Sequence, residues 1–425
     1  MKQCKTVEIL REYGSSGGYA LKTLAKWLLL GTLVGVIVGT IGSLFAHALA
    51  FVNGLRAQHP VVVLGLPVGG LLIVFLYHFF KNTGDRGTNM VISSIHSSTE
   101  IPLRMAPLIF LSTVITHLCG GSAGREGAAI QLGGSISNYL GKMIKLSAND
   151  RRIVIMCGMS AGFSALFGTP LAAAVFSLEV ISIGIMHYSA LVPCVIASIT
   201  GNFIAKLFQV PPEVFPVADI PGMAPLGLLK IVVFAALAGA VSILFCLILH
   251  KAEHLYKKYL KNPYLRIFAA GCLVIVLSLV LRTEDYLGSG MGIIEHIFHE
   301  GKASPWAFLL KMVFTALTLG AGFKGGEIVP SFTIGAAFGC LCASLLGLPV
   351  PLAAACGMAG VFSGVTNCPV TSLLISFELF GFAGMPYYLV TVAVSYMLSG
   401  NFGLYHDQIL MYSKMETRFI NTRTR

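Results

Sequence analysis

Two long apolar runs set the scale of the chain. WLLLGTLVGVIVGTIGSLFAHALAFV begins at Trp27 and IVVFAALAGAVSILFCLIL at Ile231. Each is close to the ~20 residues that a helix needs to cross a bilayer. Many other apolar segments are shorter, or are cut by glycine and proline. This pattern predicts an all-α polytopic membrane protein with several broken helices. A membrane β-barrel would instead alternate polar and apolar positions over short segments. Broken helices are tolerated at membrane depth only where protein buries them or where they line a cavity. The glycine-rich breaks are therefore the candidate sites.

Composition sharpens this picture. The chain has 425 residues, 56% hydrophobic and only 11% charged, against about 25% charged in soluble domains. A net charge of +11 raises the question of nucleic acid, but the cations sit in tails and short loops. Lys2, Lys5, Arg11 and Lys22 precede the first span, and Arg418, Arg423 and Arg425 follow the last. KMIKLSANDRR and KAEHLYKKYLKNPYLR are the other basic stretches. That is the positive-inside distribution. It places both termini and the second stretch in the cytoplasm and argues against a nucleic-acid partner. MKQCKTVEILREYGSSGGY has no apolar core or small-residue cleavage site, so no cleavable signal is expected. The ten cysteines are scattered, mostly within spans, and read as small packing residues.

The chain repeats itself. CGMSAGFSALFGTPLAAAVFSLEV (157–180) aligns without a gap on CGMAGVFSGVTNCPVTSLLISFEL (356–379). A glycine-rich break precedes each: GGSAGREGAAIQLGGSIS in the first half and GAGFKGGEIVPSFTIGAAFG in the second. Further upstream, GTNMVISSIH pairs with GSGMGIIEHI. Repeats with broken helices mark transporters, with the ligand at the repeat interface. The expected organisation is an N-terminal cytoplasmic segment (1–22), a first membrane half (23–249), a basic cytoplasmic loop (250–266), a second membrane half (267–405) and a cytoplasmic tail (406–425).

A glycine-rich turn leading into a helix leaves free N–H groups at the positive end of the helix dipole. Such a start binds an anion without a full positive charge. Three starts qualify: Gly87-Thr88-Asn89, Gly124 to Gly127, and Gly325-Gly326-Glu327-Ile328. Arg125 and Glu126 are two charges among Gly, Ala and Ile, and ionisable groups at membrane depth mark pathways or paired sites. A Glu126 carboxylate among those donors mimics the anion. Protonated, it becomes neutral, loses that advantage and swings away. One residue is then both gate and proton carrier. The structural alternative is a buried ion pair that holds two helices. Adjacent residues face different ways on a helix, so Arg125 is expected to pair elsewhere.

At these residues the sequence resembles the CLC family of chloride channels and proton-coupled anion antiporters. The matches are GREG around Glu126, GGEIVPSFTIGAAFG, the proline-containing repeat pair, and GLYHDQ with Tyr405. The resemblance covers nearly the whole membrane part in order. It implies a CLC-type fold of two inverted halves of broken, tilted helices, and a homodimer with one pore per subunit. It implies Glu126 as gate and proton carrier. Gly87, Thr88, Asn89, Gly124, Arg125, Gly127, Gly326, Glu327, Ile328, Val329 and Tyr405 are the implied anion-binding set, with Ile328 acting through its N–H and Tyr405 through its hydroxyl. It implies a multi-pass protein of the bacterial inner membrane. The expected partners are fluoride or chloride, protons and the lipid bilayer. No cofactor, metal or enzymatic activity is expected.

Four features resemble the fluoride-exporting branch. GTNMVI stands where chloride members carry Gly-Ser-Gly-Ile-Pro. Val180 follows Glu179 where chloride–proton antiporters have a second glutamate. Glu327 is acidic where chloride members are usually apolar. The run IPLRMAP…THLCGGSAGREG completes the set. Thr88, where that branch usually has Asn or Met, and Val329, where it often has Thr, depart from it. A Thr88 hydroxyl restores a chloride-like donor. The expectation is thus fluoride export in exchange for protons, with a chloride channel or chloride–proton exchanger as the alternative. Fluoride is small and strongly hydrated, so a pore that strips its water must supply well-aimed donors.

Other residues have quieter readings. Glu327 is a second proton group or a partner for Lys324 or Arg125. Glu179 and Glu378 occupy matching repeat positions and read as helix caps or packing groups. His117 is expected to hydrogen-bond nearby backbone. His296 and His299 have a metal-compatible spacing, but two histidines rarely complete a site of four ligands. Tyr405 could also be an interfacial anchor. An intramembrane protease would need a nucleophile–base pair or a metal motif, and GxSxG, HExxH and paired-Asp motifs are all missing from the sequence.

Overall fold

The computed structural model describes residues 2–97, 100–218 and 220–424, with residues 2–17 given by backbone alone. Arg425 and the side chains of Lys2, Lys5 and Arg11 lie outside the described residues, so the positive-inside reading is carried here by the remaining cations. Six helical segments are long and apolar enough to span a bilayer: Gly18–Gln58, Pro60–Phe79, Tyr188–Leu207, Pro225–Tyr259, Pro263–Leu281 and Ile328–Leu346. Shorter apolar helices of 10–17 residues lie between them and after the last of them. The chain is a multi-pass, all-α membrane protein.

The first set of helices is α1 (Lys2–Gln58), α2 (Leu66–Phe79), α3 (Thr88–Ser97), α4 (Met105–Leu118), α5 (Glu126–Met143), α6 (Ala148–Phe167), α7 (Pro170–Glu179) and α8 (Leu191–Leu207). The second is α9 (Pro225–Tyr259), α10 (Pro263–Leu281), α11 (Met291–Glu300), α12 (Ala307–Ala321), α13 (Ile328–Leu346), α14 (Val350–Thr366), α15 (Pro369–Phe380) and α16 (Met385–Leu398). The sets correspond in order and in packing. Helix α1 lies against α4, α5, α6 and α8, and α9 lies against α12, α13, α14 and α16.

The basic stretch 250–266, expected as a loop, is helical over most of its length. Helix α9 runs on through Lys251 to Tyr259, and only Leu260 to Asn262 separate it from Pro263. Glu253 and Lys257 pair one turn apart, and no glycine or proline falls between His250 and Tyr259. Charge marked the stretch as solvent-facing, but charge does not end a helix. In its packing α9 corresponds to α1 and groups with the second set of helices.

The breaks follow from local chemistry. Helix α6 ends at Gly168 with φ 72°, and α14 ends at the equivalent Asn367 with φ 59°. Both are left-handed, which glycine and asparagine adopt most readily. Two residues later Pro170 and Pro369 open α7 and α15, as proline suits the first helical turn. Glycines also set the helix spacing. A Cβ on Gly133 of α5 would collide with the Gly158 carbonyl of α6, and one on Gly335 of α13 with the Gly357 carbonyl of α14. The two halves thus share a matching backbone-to-backbone crossing of the kind that small residues permit in membranes.

The described part of the C-terminal tail (406–424) is not free. Strand β1 (Ser182–Ile183) pairs in parallel with β2 (Ile409–Tyr412), which pairs antiparallel with β3 (Phe419–Arg423). Lys414 bonds Asn367 Oδ1 and, at 2.8 Å, Ser399 Oγ. Gln408 Nε2 donates to the carbonyls of Val180 and Thr366, both at 2.9 Å. The tail thereby fixes the segment that carries Tyr405.

Candidate functional site

Two helix starts, one from each half, cross at the centre of the protein. Gly124 N–H donates to the Gly326 carbonyl at 2.7 Å, and Gly326 N–H returns to the Gly124 carbonyl at 2.8 Å. This one-bridge ladder sets the N-termini of α5 and α13 side by side. The start of α3 joins them at Gly127. A Cβ there would lie 3.1 Å from Gly326 Cα and 3.3 Å from Thr88 Oγ1. A side chain at this position would press against both of the other starts.

Glu126 is completely buried at this crossing. Its Oε2 accepts from Arg125 N–H at 3.1 Å and from Val329 N–H at 3.2 Å. One donor comes from each half. Its Oε1 is buried with no hydrogen-bond partner. The carboxylate thus sits where an anion would sit, at two positive helix ends. Of the α13 donors, Val329's amide makes this contact, one position beyond the expected Ile328, which is itself fully buried as the first residue of α13. Arg125 turns its guanidinium away to Glu213, so it meets Glu126 chiefly through its backbone, with Nε 4.0 Å from Oε1.

Glu327 stands before α13 in the N-cap position. Both cations weighed as its partner are engaged elsewhere. Lys324 pairs with Asp85 at 3.0 Å and Arg125 pairs with Glu213. Glu327 Oε2 is buried and unpartnered. Asp85 also accepts from Gly87 N–H at 2.9 Å, and so ties the α3 start to the α13 start.

A cavity of about 860 Å³ runs up to this point. Its inner wall includes Gly87, Thr88, Asn89, Gln131, Glu327 and Tyr405, and its outer wall includes Lys257, Lys261 and Arg266. Basic groups at the rim of a cleft concentrate anions. Asn89 Oδ1 accepts from Asp407 N–H at 3.0 Å, which leaves its amide N–H groups as donors. Thr88 Oγ1 accepts from Gln131 Nε2 at 3.4 Å, which leaves its proton to donate. The Tyr405 hydroxyl is buried without a partner. Unsatisfied buried polar groups are rare and costly, and several gather in this neighbourhood, among them Glu126 Oε1, Glu327 Oε2, Gln131 Oε1 and Tyr405 OH.

The structure thus gathers the site residues into two groups. Glu126, Gly124, Gly127, Gly326 and Val329 make the crossing. Gly87, Thr88, Asn89, Glu327 and Tyr405 face the cavity below it. Gln131, Asp85, Glu213 and Lys311 were missed in the sequence. Gln131 looks like any polar helix residue. Asp85 and Glu213 lie far along the chain from their partners. Lys311, alone in AFLLKMVFTALTLGA, did carry the signal of an intramembrane charge.

The other residues have structural places. Glu179 caps α15, accepting from Val370 N–H at 3.0 Å and Thr371 N–H at 2.8 Å. Glu378 caps α7, accepting from Leu171 N–H and Ala172 N–H, each at 2.9 Å. His117 Nε2 meets the Gly124 carbonyl at 3.3 Å. His296 pairs with Glu300 at 3.1 Å on an exposed turn. Among the described residues no group of three or more His, Cys, Asp or Glu side chains could hold a metal.

A family profile described as voltage gated chloride channel matches residues 69–400. The chain belongs to this CLC family. One CLC relative, a chloride/fluoride channel protein of Pseudomonas syringae pv. tomato, is 38% identical over 401 residues, covering 93% of this chain and 88% of its own. An H(+)/Cl(-) exchange transporter of Vibrio cholerae is 24% identical over 388 residues, 84% of this chain and 82% of the relative. Among solved CLC structures, a CLC-type fluoride/proton antiporter superposes with TM-score 0.87 at 33% identity, covering 91% of this chain and 98% of that one. A slow cyanobacterial Cl-/H+ antiporter superposes with TM-score 0.76 at 19% identity, covering 88% and 94%, a likeness of fold alone. The all-α CLC-type architecture expected from the sequence is the one observed.

Proposed function

We propose that this CLC-type anion transporter exports fluoride from a bacterial cell in exchange for protons. The observation that carries the reading is the Glu126 carboxylate, held by one N–H from each half at two helix ends. In that position it competes with the anion. Protonation removes its charge and its claim on the two donors, so the anion replaces it and the proton travels with the side chain. Glu327, unpaired at the head of the cavity, is the next group that can take the proton. Asn89, Thr88 and Tyr405 line the anion path between cavity and gate, with the Val329 amide beyond them. Their O–H and N–H donors, neutral and fixed, suit fluoride because they replace its hydration without a permanent cation that would trap it.

The basic cavity rim is the cytoplasmic mouth in this reading, with both termini on the same side and the protein in the inner membrane. Two such chains form a homodimer with one pathway each. The similarity to a chloride/fluoride channel protein and to a fluoride/proton antiporter favours fluoride. The Thr88 hydroxyl at the crossing supports a second reading, chloride transport on the same scaffold.

The test is anion efflux from liposomes, with fluoride and chloride electrodes in parallel and a pH probe outside. Fluoride efflux well above chloride, pulling protons inward, is the expected result. Comparable chloride efflux would replace fluoride by chloride in the proposal. Fluoride efflux without proton movement would make the protein a channel.

A further inference from the structure

Lys311 is the one lysine of α12 and is completely buried. Among the described residues no carboxylate lies within ion-pair distance of it. Its Nζ donates to three oxygens: Gly288 carbonyl at 2.8 Å, Ser122 Oγ at 2.9 Å and Tyr286 carbonyl at 3.1 Å. An ammonium has three N–H donors and no acceptor, so the three oxygens use it completely. Ser122 Oγ also lies 3.1 Å from Thr315 Oγ1, to which it can donate while accepting from the lysine. The pocket is close-fitting, since a Cβ on Gly290 would lie 2.9 Å from Lys311 Cε.

The oxygens belong to both halves. Ser122 is two residues before Gly124 of the central crossing, and Tyr286 and Gly288 precede α11. The same Gly288 carbonyl accepts from Ala123 N–H at 3.1 Å. Lys311 therefore adds a side-chain clamp to the backbone bonds that hold the Ser122–Gly124 segment, and behind it the start of α5 with Glu126, against the second half. The cradle is made of two carbonyls and a hydroxyl with no carboxylate. Oxygen sets of this kind suit hard cations, and without an anionic ligand they suit one positive charge, not two.

We propose that Lys311 is a tethered monovalent cation that positions the gate: its ammonium occupies an oxygen cradle that would otherwise take Na⁺ or K⁺, and so frees the transporter from dependence on those ions. The melting arm of the test stands alone, and only the flux arm rests on the transport reading above.

The test uses the full chain carrying Lys311→Met, which keeps the bulk and removes the charge. Melting is followed with Na⁺, K⁺ or N-methylglucamine as the only cation, and anion efflux is then measured in the same media. The parent should melt alike in all three. K311M should melt several degrees lower in N-methylglucamine, recover with rising Na⁺ or K⁺, and transport about tenfold or more slowly until it does. Equal melting of parent and variant, or a deficit that no cation relieves, would overturn the proposal. Recovered melting with flux still lost would overturn the positioning role, provided the parent transports. Should K311M yield no folded protein, Lys311→Ala is prepared with and without n-butylammonium or Na⁺. Folding only with a cation supports the proposal, and failure under every condition overturns it.

Discussion

Four buried or half-buried glutamates sit against helix N-termini, and they divide into two kinds. Glu179 and Glu378 have both oxygens occupied by N–H groups of the opposite half. Glu126 and Glu327 each keep one buried oxygen unpartnered. The chemistry of the residue is the same, and the setting at a helix start is the same. The difference lies in completion. A carboxylate with both oxygens engaged is a cap, and moving it costs those bonds. A carboxylate with one oxygen idle is held more loosely and can change partner or protonation. The contrast is the ground on which Glu126 and Glu327 are proposed to carry protons, while Glu179 and Glu378 cap helices across the two halves.

The comparison can be broken most decisively at Glu126. Glu126→Gln should cut proton movement by about 100-fold or more in the liposome assay, the scale of a lost acid–base group, with the melting temperature little changed. If protons still move, the idle-oxygen criterion fails. Next in size is Gly158→Ala, which presses a methyl into the α5–α6 crossing at Gly133. Overpacking of this kind costs about 1–3 kcal/mol, read as a lower melting temperature, while proton coupling per anion should stay as in the parent. Tyr405→Phe removes one donor to the anion. A net hydrogen bond is worth about 1 kcal/mol, so apparent anion affinity should fall roughly fivefold with coupling intact. Smallest is Glu378→Gln, which keeps one acceptor for α7. A loss of about 0.5–1 kcal/mol of stability is expected, with no change in proton coupling. A large coupling defect in Glu378→Gln would erase the distinction between the two kinds.

Much of this was legible in the sequence where the signal was local. Glycine and proline punctuate the helices, so the breaks, the repeat and the three helix starts could be read directly. Glu126 stood out as a charge among small apolar residues. The matched Glu179 and Glu378 read as caps, but not that each caps the other's half. Long-range pairings were out of reach. Nothing near Arg125 announces Glu213, and nothing in the tail announces that residues 409 and 410 pair with 182 and 183. The basic stretch was misread as a loop because polarity reports exposure, while helix ends are set by backbone chemistry, here Asn262 and Pro263.

The reciprocal caps have a consequence for how the chain is made. When α7 leaves the ribosome, the carboxylate that will satisfy its first amides is still some two hundred residues from synthesis. Chains generally fold from the N-terminus as they are made, and a helix start inside a membrane cannot wait with bare N–H groups except in contact with water or other protein. The first half must therefore mature provisionally, with α7 hydrated or held by other protein, until Glu378 arrives. Glu179 cannot complete its own role before α15 exists. Insertion and final assembly are in this way separate events, and the second is a handshake that neither half can finish alone.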